Sequence, residues 1–143
     1  MKDLQELLSE NHIKVIDYVE NWKQAVEIAS EPLIKENLIS HIYVENMISS
    51  VQDNGPYMVL TDYFALMHAK PGEGVNQQSM SLLVTRNEID LEGKPVKIFL
   101  ILAAEDSQSH LKGLQDVIAI FMDKNKYQTI LNGQKKDIIE LFN

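Results

Sequence analysis

Ile98 to Ala104 is an uninterrupted apolar run that stops abruptly at Glu105-Asp106. Together with Val96 it reads as a strand, Val96 to Ala103, buried on both faces. The fold must therefore supply apolar cover on two sides of it. The run is far too short for a membrane span, which needs about 20 residues. Ser79 to Thr85 reads as a second strand, and Asp90 to Lys94, which contains Gly93, as a turn between strands. Further upstream, Tyr57 to Leu60 and Tyr63 to Met67 are apolar and rich in aromatic residues, with polar Thr61-Asp62 between them. The stretch from 57 to 103 contains no helical period, so part of the pairing is antiparallel and a purely parallel sheet is not expected.

Helical spacing brackets this block. Leu4, Leu7 and Leu8 suggest a short amphipathic helix, and Ile13, Val15 and Ile16 a short strand. Trp22, Ala25, Val26 and Ala29 follow at helical spacing, with Asn21 or Asp17 as the cap and Pro32 marking a break or the first turn of the next helix. Leu38, Ile42, Met47 and Ile48 mark another helix, ending near Asp53-Asn54-Gly55-Pro56. After the buried strand, Leu111, Leu114, Ile118 and Phe121 share one face of a helix that starts near Asp106 or Ser107. Two more helical segments, Tyr127 to Leu131 and Lys135 to Phe142, are separated by Gly133. Helices, then strands, then helices predict an α/β (α+β layered) domain: a mixed sheet flanked by helices.

The chain has 143 residues, 45% of them hydrophobic and 24% charged. That is enough for a packed core and fits one domain over residues 1–143. It holds no cysteine, which removes disulfides, thiolate nucleophiles and cysteine-based zinc sites. The formal charge is -8 and the only arginine is Arg86. A nucleic-acid binder needs a basic patch, so no nucleic-acid partner is expected. The opening MKDLQELLSENHIKVID has no signal-peptide core, and a cytoplasmic protein is expected.

The four histidines are His12, His41, His68 and His110. None has HxxxH or HExxH spacing, and no metal or cofactor is expected. His12 lies at a helix–strand junction without an obvious partner, and His41 reads as a surface or packed helix residue. His68 ends an apolar strand-like stretch and precedes Ala69-Lys70-Pro71-Gly72-Glu73-Gly74, a place where side chains emerge at a sheet mouth. On spacing alone, a partly buried strand-end histidine is the plainer reading. His110 follows Asp106-Ser107-Gln108-Ser109. With Ser107 as N-cap it lies in a first helical turn, where free N–H groups suit a phosphate and the local field keeps an imidazole neutral. Asp62, Glu73, Glu105 and Asp106 lie near these loops, and any of them could orient an imidazole.

Three segments, taken in order, resemble the mannitol/fructose class of phosphotransferase-system enzyme IIA. They are Gly55-Pro56-Tyr57-Met58-Val59-Leu60; Ala65 through His68-Ala69-Lys70-Pro71 to Val75, similar to the pattern ALPHARPExGV; and Pro95-Val96 through Leu102-Ala103-Ala104 to His110-Leu111. The resemblance covers nearly the whole chain, and the GPY opening with the HA-(R/K)-P-x-x-GV loop is closest to the ascorbate-type branch. It differs at Met67, where the family has proline, and at Lys70 in place of arginine. It also differs over Glu45 to Ser50, where the mannitol branch carries an arginine.

The resemblance implies a mixed sheet flanked by helices on both faces and a histidine phosphocarrier of sugar uptake. On it, His68 is the phosphohistidine and His110 stabilises the phosphoryl group. HPr is then the donor and the cysteine of enzyme IIB the acceptor, with only an indirect link to membrane enzyme IIC. A regulatory phosphoacceptor of the same fold, or an interaction domain in which both histidines are structural, are the alternatives. Wide separation of the two histidines would favour the last.

Overall fold

The computed structural model describes residues 3–142. Its core is a five-stranded sheet: β1 (Ile13–Ile16), β2 (Val59–Thr61), β3 (Tyr63–Met67), β4 (Ser79–Leu91) and β5 (Lys94–Ala103). The spatial order is β1-β4-β5-β3-β2. β4 and β5 form an antiparallel hairpin and β2 pairs antiparallel with β3, while β1–β4 and β3–β5 are parallel. The sheet is thus mixed, as the helix-free middle of the sequence requires.

Helices α2 (Trp22–Lys35) and α3 (His41–Asn54) come before β2. Helices α4 (Ser107–Phe121), α5 (Lys124–Asn132) and α6 (Lys135–Leu141) close the fold, and α1 is the single turn Leu4–Leu7. β5 shows why both faces are covered. Phe99, Ile101 and Ala103 pack into a core with Trp22, Leu33, Tyr43 and Met47 of α2 and α3. The alternate residues Ile98, Leu100 and Leu102 pack with Val117, Phe121, Ile130 and Ile138 of α4 to α6. Alternation along a strand sends successive side chains to opposite faces, so an unbroken apolar run needs exactly two such layers. Among the described residues, no helix is long and apolar enough to cross a membrane.

Three local outcomes differ from the sequence reading. Pro32 neither breaks α2 nor starts a helix; it lies inside α2. The carbonyl that a proline at this position leaves free, that of Ile28, accepts instead from Lys14 Nζ at 3.3 Å, and Lys14 also pairs with Glu31 at 2.8 Å. The inner face of α3 is Tyr43, Val44, Met47 and Val51, whereas Ile42 is 52% exposed. β4 runs six residues beyond Thr85, with a register shift between Val84 and Ile89. The expected α2 cap is Asn21, whose Oδ1 accepts from the Gln24 amide at 2.8 Å.

The β4–β5 turn is Glu92-Gly93, with φ of 49° and 98°. Both central residues in the left-handed region give the primed turn that suits a twisted hairpin. A Cβ at Gly93 would meet nothing within 4 Å, so the cost of adding one is purely backbone strain. Gly93→Ala is expected to lower unfolding free energy by about 1–2 kcal/mol, read as a lower urea midpoint at unchanged slope.

Candidate active site

The β3–β5 ladder ends at Met67↔Ile101. His68 follows at once, half-buried, and its Nδ1 lies 2.9 Å from the carbonyl oxygen of Leu66. A carbonyl can only accept, so Nδ1 carries the proton and donates. The imidazole is therefore the Nδ1–H tautomer, and its lone pair sits on Nε2.

The chain beyond His68 is pinned from several sides. Ala69 N–H donates to the Tyr43 hydroxyl at 3.0 Å, and that hydroxyl donates to Leu102 O at 2.5 Å. Gly72 N–H reaches Ala104 O at 2.9 Å, and Ser40 N–H reaches Gly74 O at 2.9 Å. Gly74 has φ of 78°, and a Cβ there would lie 2.7 Å from the Tyr43 nitrogen. Glycine is required at this position for both its backbone conformation and its space. On the outer side, Asn46 Nδ2 donates to Glu73 Oε1 at 2.9 Å, tying α3 to the same loop.

His110 comes to this place from the other side of the sheet. Its ring centroid lies 5.5 Å from that of His68, with the planes at 54°. Tyr57 stands edge-on to His68 at 6.3 Å, and its hydroxyl is 2.7 Å from Ser50 Oγ. These side chains line a cleft of about 500 Å³ together with Asp53 and Lys70. The structure thus brings His68 and His110 together and leaves His41 outside this cleft, exposed at the start of α3. His12 is outside too, and it does have partners. It is buried, with Nδ1 near Leu7 O (3.0 Å) and Met80 O (2.9 Å) and Nε2 2.7 Å from Glu36 Oε2, a structural knot.

The expected roles of the carboxylates change. The cap of α4 is Asp106 rather than Ser107. Its Oδ1 accepts from the Ser109 amide at 2.8 Å, and this bond holds its carboxyl below the usual range. One of the first-turn amides that suit a phosphate, that of Ser109, is therefore already held by the cap. Glu73 is held by Asn46, Glu105 accepts from the Gln78 amide at 3.1 Å, and Asp62 gives its backbone carbonyl to the Tyr127 hydroxyl. His68 is oriented by the Leu66 carbonyl instead. Sequence reasoning missed that carbonyl, Tyr43, Asn46 and Ser50. The only available signal was the spacing of Tyr43, Asn46 and Ser50 on one helix face.

His110 Nδ1 is buried and has no hydrogen-bond partner among the described residues. Burial first, and then the neighbouring charge of His68, push the His110 pKa below its ordinary value of 6.5. The folded protein therefore binds its proton less readily than the unfolded chain. Just below pH 6.5 the unfolded state carries the extra proton, so stability falls as pH drops from 6.5 to the folded pKa. His110→Gln is expected to flatten that part of the stability–pH curve, measured by urea titration at stepped pH.

Paired histidines at the C-terminal mouth of a two-layered mixed sheet define a class, and comparison with known proteins identifies it. Residues 6–143 match the family model of the phosphoenolpyruvate-dependent sugar phosphotransferase system, EIIA 2, and the chain belongs to that family. It is 27% identical over 135 residues to the mannitol-specific cryptic phosphotransferase enzyme IIA component of Escherichia coli (strain K12), covering 93% of this chain and 92% of that protein. It is 26% identical over 132 residues to the ascorbate-specific PTS system EIIA component of the same strain, covering 89% and 86%. The solution structure of the Escherichia coli mannitol-specific cryptic enzyme IIA superposes with a TM-score of 0.91 at 26% identity, over 99% of this chain and 98% of that one. The chain is accordingly a component of a sugar phosphotransferase system, with the enzyme IIA fold that its motifs implied.

Proposed function

We propose that the chain is a single-domain cytoplasmic phosphocarrier. In this reading His68 Nε2 takes a phosphoryl group from the phosphohistidine of HPr and hands it to the cysteine of an enzyme IIB. The observation that carries it is the Nδ1–H···O bond from His68 to Leu66, which leaves Nε2 as the free nucleophile beside His110. The Nε2 lone pair forms the new N–P bond as the donor's N–P bond breaks, and the departing electron pair returns to the donor nitrogen. The His68 ring gains positive charge in the step, and its Nδ1–H then donates more strongly to Leu66 O. In the second half the cysteine thiolate attacks phosphorus and the pair returns to Nε2.

His110 stabilises the phosphoryl group in this reading. Kept neutral by burial, it adds no cation that would have to be desolvated, and its ring is packed against the acceptor. Ser50, Tyr57 and Lys70 line the remaining wall and offer hydroxyl and ammonium donors. Lys70, where the family's loop has arginine, supplies a permanent cation to the cleft wall. The absence of an arginine over Glu45 to Ser50, with the GPY opening and the HA-K-P loop, supports the ascorbate-type branch in this reading.

The test is incubation with phosphoenolpyruvate, enzyme I and HPr, followed by intact mass and peptide mapping. One acid-labile phosphate on His68 is expected. Folded protein that takes no phosphate from several competent HPr proteins would overturn the reading. Discharge by an ascorbate-type enzyme IIB but not a mannitol-type one is the expected result for the branch.

A further inference from the structure

We infer that Tyr43 is a positioning residue for His68: its phenol, inserted between the ends of β3 and β5, stops the strand ladder there and fixes the direction and tautomer of the imidazole. The inference deepens the phosphocarrier reading, and only its transfer measurement rests on that reading.

The ladder between these two parallel strands runs through Met67↔Ile101 and then ends. Just beyond it, one backbone donor on the β3 side, Ala69 N–H, and one acceptor on the β5 side, Leu102 C=O, are held by a single oxygen. The Tyr43 hydroxyl accepts from the first at 3.0 Å and donates to the second at 2.5 Å. A phenol has one proton to give and a lone pair to receive, so both backbone groups are satisfied by the same atom. The hydroxyl thus stands where a direct strand-to-strand bond would have continued the sheet. Two bonds through an oxygen span more distance than one, so β3 is splayed from β5 at this point.

The consequence falls on His68, the residue between the last ladder position and the clamped Ala69. Released from the sheet, its ring folds back onto its own strand, and Nδ1–H reaches Leu66 O, two residues earlier. That bond is what leaves Nε2 unprotonated. Tyr43 itself has little freedom. It is fully buried, on the first turn of α3, with Gly74 packed too closely for a Cβ. Burial pushes its phenol up to about 12, so the donor proton stays in place at any pH at which the protein functions. Phenylalanine would fill the space but strand the part-buried Ala69 N–H and the buried Leu102 C=O.

Tyr43→Phe tests this through two readouts that simple destabilisation would not move. The first is the His68 ring nitrogens by 15N NMR in the unphosphorylated protein. The expected spectrum shows the Nδ1–H form alone in the wild type and a tautomer mixture in the variant. The second is the rate of phosphorylation by phospho-HPr, expected to fall by about 10- to 100-fold with the final stoichiometry unchanged. Val117→Ala, which opens a cavity in the opposite core layer, is expected to lose stability and keep the wild-type tautomer and rate. A folded Tyr43→Phe protein with wild-type tautomer and rate would overturn the inference. Where the variant does not fold, amide exchange in the wild type decides: a protected Ala69 N–H supports the clamp, and exchange at the rate of an open loop overturns it. A wild type that takes no phosphate on His68 would overturn the phosphocarrier reading, while the tautomer and exchange results would still judge Tyr43.

Discussion

His68→Ala is expected to reduce phosphoryl acceptance to the background of the assay while the protein stays folded. The first half follows from the chemistry. The acceptor is one lone pair on one nitrogen, which alanine removes, and the Nδ1 of its neighbour His110 is buried. The second half follows from how the site is built. His68 contributes one side-chain hydrogen bond, to Leu66 O, and its own backbone lies past the end of the β3–β5 ladder. The surrounding loop is held by backbone bonds to Ala104 and Ser40 that an alanine does not touch. Removing half-buried atoms at such a place costs little compared with emptying a core site. His110→Ala gives the informative contrast. The acceptor remains, so stoichiometry on His68 is expected to be unchanged, and the transfer rate is expected to fall by about 10²-fold. Single-turnover phosphorylation with phospho-HPr, with circular dichroism to confirm folding, separates the two. Equal loss in both variants would mean that the two histidines act as one acceptor unit.

Much of this arrangement is legible in the sequence. The apolar run ending at Ala104 requires two covering layers, and the layers are there. Asn21 and Gly93 act as the cap and the turn that their residue types predict. Position alone leaves His68 and His110 as plain structural residues, one after a strand and one in a first helical turn; it is the family resemblance that pairs them. Their 5.5 Å approach needs the parallel β3–β5 register, which no local pattern encodes. Pro32 was misread because local propensity treats a proline as a helix breaker. Lys14, eighteen residues earlier, supplies the compensating donor. The sequence leaves the helix start open between Asp106 and Ser107, since both residue types suit a cap; the structure makes it Asp106, a choice that depends on one residue of helix phase. The orientation of His68 was looked for in carboxylates because they are visible as residue types. A backbone carbonyl is not, and Leu66 O does that work. Tyr43 escaped notice because a buried tyrosine looks like any other core residue until its hydroxyl partners are known.

Phe99→Ala is expected to be the most damaging single change to the fold, lowering unfolding free energy by about 3–5 kcal/mol. Phe99 lies on β5, between Leu83 of β4 and Ala65 of β3, and is among the largest fully buried side chains. Its ring belongs to the layer shared with α2 and α3. The backbone of a paired strand cannot move in to close the gap, so most of the cavity would remain. A domain of this size has about 5–15 kcal/mol in all, and the melting temperature should drop by about 10–15 °C. Leu60→Ala is the matched control. Leu60 is 52% exposed on edge strand β2, and its loss should stay within about 0.5 kcal/mol. The cavity would lie in the same layer as Tyr43 but two residues back from Ile101, where the ladder ends. His68 is oriented by a carbonyl of its own strand, so the population still folded at low temperature should take phosphate at nearly the wild-type rate. A rate that fell along with stability would show instead that the α2–α3 layer, and not only the clamp at the strand ends, holds the acceptor in place.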